Sequence, residues 1–362
     1  MEVIQKLAPS FNFPRPTITD GTDSVRPATL RSLGPDQVLV LINGKRRHTS
    51  ALVHLNGSIG RGSTGVDLNA IPVSAIERIE VLCDGAAAQY GSDAIAGVIN
   101  IVTRSDASPL NLSFKGGATT HDDGGLLDGG ANYGFRIGRG ALNVTAEYRD
   151  RNATNRAGND PRDQLRAGDA GNNPVPQPNH HWGDAEETDV MTFADLNVPV
   201  GASETTFFWG ADSDGVNPYY ATQIVGTIAT PPQLAGFEAT LFDRIERRRI
   251  ECGQPKDNFR LGADWQKSAW SASVLGSRYG EFCSFTAATA DDQIYAPKWL
   301  ADVDVAYRHR SFSVHVGAQN LFDEFPDLNK PVNSFNGIQT YPSHSPFGMN
   351  GRFVYGRLTV KF

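Results

Sequence analysis

The densest set of titratable side chains in this sequence is HHWGDAEETD, His180 to Asp189. Two histidines beside several carboxylates are the donor types a zinc hydrolase uses. The run sits in a Pro/Asn/Gly-rich stretch without fixed helical spacing, however, and reads as a solvated loop. RIERRRIE, Arg244 to Glu251, carries the charge of a nucleic-acid patch, yet the chain as a whole has a net charge of −7. That balance argues against general affinity for nucleic acid. The glycines at Gly57, Gly60, Gly62 and Gly65 lack the Gly-Lys-Ser/Thr ending of a phosphate loop and do not join a strand to a helix. His48 and His54 have no carboxylate at ligand spacing and read as ordinary polar residues. No catalytic, cofactor or metal site is expected, and the chain does not read as an enzyme.

The elements that would carry any site come next. The 362 residues include 37 glycines and three cysteines, with ordinary hydrophobic content, so the chain is not disordered. No stretch approaches the ~20 consecutive apolar residues of a membrane helix, and MEVIQKLAPSFNF lacks the basic and apolar regions of a signal peptide. Taken alone, those features describe a soluble cytoplasmic protein. The strand pattern overrides them.

Up to about residue 108, short β runs alternate with loops. QVLVLING (Gln37 to Gly44) is a strand closing on an Asn-Gly hairpin turn, and PVSAIERI reads as one or two helical turns behind Pro72. From about Leu110 onward apolar and polar residues alternate at period two. In ALNVTAEYRD, Leu142, Val144, Ala146 and Tyr148 share one face, and Asn143, Thr145, Glu147 and Arg149 the other. The links between these strands alternate short and long. Tight ones fall at Gly138–Gly140, Pro199–Ser203, Lys267–Ser268 and His309–Arg310. Polar ones fall at His121–Asp128, Arg151–Glu187, Glu281–Pro297 and Asp323–Asn350. All tight turns then lie at one end of the sheet, as in outer-membrane β-barrels. Aromatics near strand ends (Tyr148, Phe207, Phe208, Trp209, Trp265, Trp270 and Trp299) suit interface girdles. The expected architecture is mainly β: a small mixed α/β unit over residues 1–108, then an antiparallel transmembrane barrel over 109–362, incomplete at about twelve strands. RIERRRIE then reads as lumen or outer-loop charge facing an anionic ligand.

Three stretches carry a family resemblance. VLVLINGKRRH, GVDLNAIPVSAIERIEVLCDGAAAQYGSDAIAGVINIVTR and VGAQNLFDEFPD resemble the TonB-dependent outer-membrane receptors. The first two resemble the plug domain lodged in the barrel lumen, and the third resembles the penultimate barrel strand. Asn43, Gly44, Arg46, Asp84, Gly85, Tyr90, Gly91, Gly97 and Asn100 are the plug-motif positions, with an architectural role. Phe362 ends the last amphipathic strand as the aromatic signal read by the β-barrel insertion machinery. The resemblance implies residence in the Gram-negative outer membrane, among its lipid. It implies energised uptake of a scarce large nutrient such as a ferric siderophore, with the TonB–ExbB–ExbD complex pulling on the plug. The alternative is a soluble all-β binding or adhesion protein without transport.

The sequence departs from that family in three ways. It begins inside the plug, without the segment TonB contacts. Cys83 stands where the family usually carries arginine. The barrel is also short of the about 22 strands of plugged transporters, with an internal block expected to be missing near residues 225–237. The chain is therefore expected to be a fragment or impaired in transport. Counting strands back from Phe362 puts Cys252 and Cys283 at the outer ends of nearby strands. There they are expected to form a disulfide, leaving Cys83 a free thiol.

Overall fold

The computed structural model describes residues 10–14, 25–54, 60–83, 85–159, 181–200, 203–216, 251–255, 257–284, 288–334 and 337–362. Two bodies of structure account for most of them. In the first, β1 (Phe11–Asn12) and β2 (Thr29–Leu30) form a small ribbon. β3 (Val38–Ile42), β4 (Lys45–Arg46), β5 (Ile76–Leu82) and β6 (Gly97–Thr103) form a mixed sheet in the order β4-β3-β6-β5. β3 is parallel to β6 and buried on both faces, which is why VLVLI is an unbroken apolar run rather than an alternating one. Its residues divide between two cores, Val38, Val40 and Ile42 against Phe11, Leu68 and Ile99, and Leu39 and Leu41 against Ala86, Ala94 and Val98.

The stretch PVSAIERI differs from its helical reading. Only Val73–Ala75 turns, as a 3-10 segment, and Ile76 begins β5. The β-branched and apolar residues of IERIEVL find a ladder partner in β6, and that pairing outweighs a weak helical preference.

The second body is a ten-stranded antiparallel sheet. Its strands are β7 (Asn111–Thr119), β8 (Leu126–Ile137), β9 (Gly140–Arg151), β10 (Glu187–Val200), β11 (Ser203–Val216), β12 (Asn258–Lys267), β13 (Trp270–Tyr279), β16 (Lys298–His309), β17 (Phe312–Gln319) and β18 (Phe353–Lys361). β14 (Phe282–Ser284) and β15 (Gln293–Tyr295) form a separate hairpin inside the long β13–β16 connection. The spatial order is β11-β10-β9-β8-β7-β18-β17-β16-β13-β12, so the last strand closes back onto the first of the ten. β11 and β12 are its two edges, and the sheet is not closed among the described residues. Residues 217–250, which include the expected missing block at 225–237 and all of RIERRRIE except Glu251, lie outside them, as do residues 160–180.

The polarity of this sheet is inverted relative to a soluble protein. On β9, Asn143, Thr145 and Glu147 are buried while Val144 and Tyr148 are exposed. The outward face continues through Phe114, Leu127, Val190, Val274, Val305 and Val316, all exposed. Cross-strand partners share a face, so Tyr148↔Val190 and Val305↔Val316 are one continuous apolar surface. Its aromatics fall at two levels. Phe259 meets Trp299 edge-on at 6.0 Å near the long loops, and Trp270 lies 4.9 Å from Tyr307 near the tight turns. Trp299 and Tyr307 lie on one strand, β16. Eight residue steps span about 27 Å of strand, or about 20 Å of height at a tilt near 40°, close to the apolar band of an outer-membrane barrel.

Candidate functional site

The buried, polar face of the large sheet is where the small domain sits. The β3–β4 turn is a two-residue loop in which Asn43 (φ 50°) and Gly44 (φ 75°) are both left-handed, the geometry an Asn-Gly pair favours. That turn aims Asn43 at the sheet. Its Nδ2 donates to Thr103 Oγ1 at 2.7 Å and to Asp195 Oδ2 of β10 at 3.0 Å. Thr103 Oγ1 donates to the same carboxylate oxygen at 2.8 Å, and Thr103 N donates to Asn43 Oδ1 at 2.9 Å. Phe193, two residues earlier on the same face of β10, packs into the small domain's core. The second anchor is the 3-10 turn, where Ser74 N and Oγ each donate to Glu147 Oε2 at 3.0 Å. Gly130 on the neighbouring β8 leaves room for it: a Cβ there would stand 2.2 Å from Ser74 Oγ. Contacts on the far side of the sheet are lighter, Ser32 Oγ to Pro255 O at 3.4 Å and Asn258 Nδ2 to Asn12 Oδ1 at 3.5 Å.

Behind the seat lies a buried ionic network on the sheet wall. Arg149 reaches Asp128 at 3.2 Å, Glu147 at 3.1 Å and Asp189 at 3.3 Å. Arg151 pairs with Glu187 at 2.6 Å. These contacts correct the reading of HHWGDAEETD as a solvated loop. His180 lies outside the described residues, but Trp182, Asp184, Ala185, Glu187 and Asp189 are buried. The carboxylates go inward because the β9 arginines neutralise them. His54 is likewise buried, against its reading as an ordinary polar residue.

The motif positions do not form one site. Asn43, Gly44 and Asn100 come together, Gly44 N donating to Asn100 Oδ1 at 2.9 Å and Asn100 Nδ2 to Glu80 Oε2 at 2.8 Å. Arg46 pairs instead with Asp93 on an exposed edge. Gly85, Tyr90 and Gly91 flank and end the short helix Ala86–Tyr90, of which only Ala86 is buried. Gly97 opens β6 at φ 143°, with a Cβ there 2.5 Å from Leu82 O, so no other residue fits. Asp84 lies outside the described residues. Cys83 is a free thiol, its Sγ 3.4 Å from Ser10 Oγ and its carbonyl accepting from Arg31 Nη1 at 3.0 Å. Phe362 is exposed, its N donating to Leu110 O at 3.0 Å.

At the long-loop end the connections are stitched into a rim. Arg156 grips both oxygens of Asp123, at 2.5 and 3.0 Å, and donates to Asn350 O at 2.9 Å. Burial alone would raise the Asp123 carboxyl; the bonds from Arg156 and Thr119 and from Asn155 N outweigh it and hold the carboxyl below its usual range. Asn350 Nδ2 reaches Asp184 Oδ2 at 2.7 Å, and His121 pairs with Asp323 at 3.2 Å. Across the rim, Lys298 pairs with Asp327 at 2.8 Å and Tyr295 OH donates to Asn329 Oδ1 at 2.6 Å. Cys252 and Cys283 are joined as a disulfide with Cα atoms 5.5 Å apart, beside His344, whose Nε2 lies 3.0 Å from Cys283 O. Alternation marks the strand faces, but nothing in the sequence pairs Ser74 with Glu147, or Arg156 with Asp123. Those pairings depend on how the domain seats and the loops cross.

Residues 1–98 match the TonB-dependent Receptor Plug Domain family. Over 142 residues the chain is 32% identical to the probable TonB-dependent siderophore receptor PirA of Acinetobacter baumannii, a match covering 39% of this chain and 18% of that protein. Over 79 residues it is 43% identical to the vitamin B12 transporter BtuB of Vibrio vulnificus, covering 22% of this chain and 11% of that one. The matched segments thus span less than a fifth of either relative's length. Among solved structures, a mutant of the ferric enterobactin receptor PfeA of Pseudomonas aeruginosa superposes with a TM-score of 0.59 at 12% identity. That alignment covers 99% of this chain and 95% of the receptor, so it is the plug-and-barrel fold that the two share.

Proposed function

The chain belongs to the TonB-dependent receptors of the outer membrane, and from that premise we propose that it is a receptor for a ferric siderophore, captured at the long-loop rim above a plug seated on Asp195 and Glu147. The observation that carries the reading is the inverted sheet: polar residues face the plug and an apolar, aromatic-banded surface faces outward. A soluble adhesion domain has no use for that surface. The ligand class follows the siderophore receptors among its relatives, with a cobalamin as the second candidate after the B12 transporter. In this reading residues up to about 108 are the plug and the remainder the barrel. TonB with its ExbB and ExbD partners supplies the pull on the plug, and the insertion machinery reads the last strand at Phe362.

Ten strands stand among the described residues, against the about 22 that enclose a plug in transporters of this kind. Ligand binding is therefore expected to outlast transport. The test is expression behind an export signal in a strain lacking siderophore receptors, scoring iron-55-enterobactin bound to cells and iron accumulated with and without an uncoupler. Binding without uncoupler-sensitive accumulation supports the reading. Uncoupler-sensitive accumulation refutes the impairment, and binding of cyanocobalamin in place of the siderophore refutes the ligand class.

A further inference from the structure

At the tight-turn end, opposite the rim, part of the sheet's inner wall is left uncovered among the described residues. A cavity of about 180 Å³ opens there between the β12–β13 and β16–β17 turns, lined by Gln266, Ser271, Arg308, Arg310, Ser313 and His315, with Trp270 at its edge. Among the described residues no carboxylate lines it. Asp304, the acidic partner of His315, is already engaged: its Oδ1 lies 2.8 Å from His315 Nδ1 and its Oδ2 accepts from Tyr355 OH at 2.8 Å. Arg308 and Arg310 are exposed and meet no carboxylate among the described residues. Two guanidiniums, three serine hydroxyls (Ser268 among them), an amide and an imidazole thus surround a space large enough for one oxyanion and a few waters.

The register explains why these groups converge. Ser271 pairs with Ala306, and Ala306 with His315, so all three stand on one face of three adjacent strands. Arg308 pairs with Ser313 two residues nearer the turn, on the same face. Arg310 is held in the left-handed region at φ 46° by the turn itself, which brings its side chain to the same opening. The Trp270–Tyr307 pair marks the level at which the outer face meets the interface, so the cavity lies at headgroup depth of the leaflet on the turn side.

We infer that this cavity is a phosphate-binding site, in which Arg308 and Arg310 grip a phosphate group while Ser271 and Ser313 donate to its remaining oxygens. Forked guanidiniums match phosphate geometry better than any other pair of cations. The phosphate is either a small soluble phosphate reaching the inner wall or a phospholipid headgroup that reaches it around the tight turns.

The full chain purified in detergent tests this in two arms. In the first, inorganic phosphate is titrated calorimetrically at low ionic strength. In the second, micelles doped with phosphatidylglycerol or with diacylglycerol, which lacks the phosphate, are compared by native mass spectrometry for retained lipid. R308Q/R310Q is expected to weaken binding about tenfold or more per guanidinium, and the gentler S271A/S313A about threefold. R136Q/R139Q, which removes two arginines at another turn, is expected to leave it unchanged. Phosphate binding in the first arm assigns a soluble ligand, and phosphatidylglycerol retained over diacylglycerol without it assigns a lipid headgroup; both support the site. Absence of binding in both arms overturns it, as does binding that R136Q/R139Q reduces as much as R308Q/R310Q.

Discussion

Val274→Arg separates a membrane-facing surface from an ordinary solvated one. Val274 is 51% exposed and sits on the outward face of β13, opposite Val303 and Ala263. It lies four residues from Trp270 toward the turns, and four from Arg278, the partner of Trp299, toward the loops. Four residues are about 13 Å of strand, or about 10 Å of height at barrel tilt. The residue is therefore near mid-band, beyond the reach of an arginine snorkelling to either interface. An arginine there is expected to cost about 2–4 kcal/mol. On a soluble surface the same change at a half-exposed valine stays within about 0.5 kcal/mol. Ser273, one residue earlier, points to the inner face beside Asp304, so Ser273→Arg is expected to cost no more than about 1 kcal/mol. The assay is reversible urea unfolding from phospholipid vesicles, followed by tryptophan fluorescence. Equal costs for the two arginines, or a cost within 0.5 kcal/mol for Val274→Arg, contradict the assignment of faces.

Three further outcomes follow from the seat and the rim. Asp195→Ala strips the acceptor shared by Asn43 and Thr103 and is expected to cost about 1–3 kcal/mol, with faster protease cleavage of the plug as the readout. Cys252→Ser opens a loop of sequence separation 31 and is expected to lower stability by about 3–4 kcal/mol on the chain-entropy estimate, an effect that reductant reproduces in the parent and not in the variant. The Asp123 carboxyl is held below its ordinary value in the folded rim. Its contribution is thus fully present above about pH 4 and is lost as pH falls through the lower folded value; Asp123→Asn abolishes that acid-dependent loosening, measured by hydrogen exchange across residues 119–125.

What the sequence disclosed was the periodic part. Period-two alternation in ALNVTAEYRD named both faces of β9 correctly, because a strand's side chains have no other choice. Asn-Gly at residues 43 and 44 marked its turn for a similarly local reason. The helical reading of PVSAIERI held for one 3-10 turn, Val73–Ala75, and failed beyond it because β6, some twenty residues later, claims Ile76 onward as a strand. HHWGDAEETD read as solvated because its neutralising arginines, Arg149 and Arg151, come from another strand. About twelve strands were expected and ten stand in the described residues, with 217–250 outside them. The expected Cys252–Cys283 pairing depended on strand counting from Phe362, which placed both residues at the loop end where the structure has them. The seat itself was illegible, since Ser74–Glu147 and Asn43–Asp195 join residues 73 and 152 positions apart.

The most direct test of the inverted sheet is spin-label accessibility along β17 in lipid bilayers, in a Cys83→Ser background that leaves the disulfide intact. Labels placed singly at Ser313, Val314, His315 and Val316 sample both faces of one strand. The account predicts a period-two profile, with high oxygen collision rates at positions 314 and 316 and protection from oxygen at 313 and 315. A flat profile, or one in which the valine positions are shielded from lipid, contradicts it.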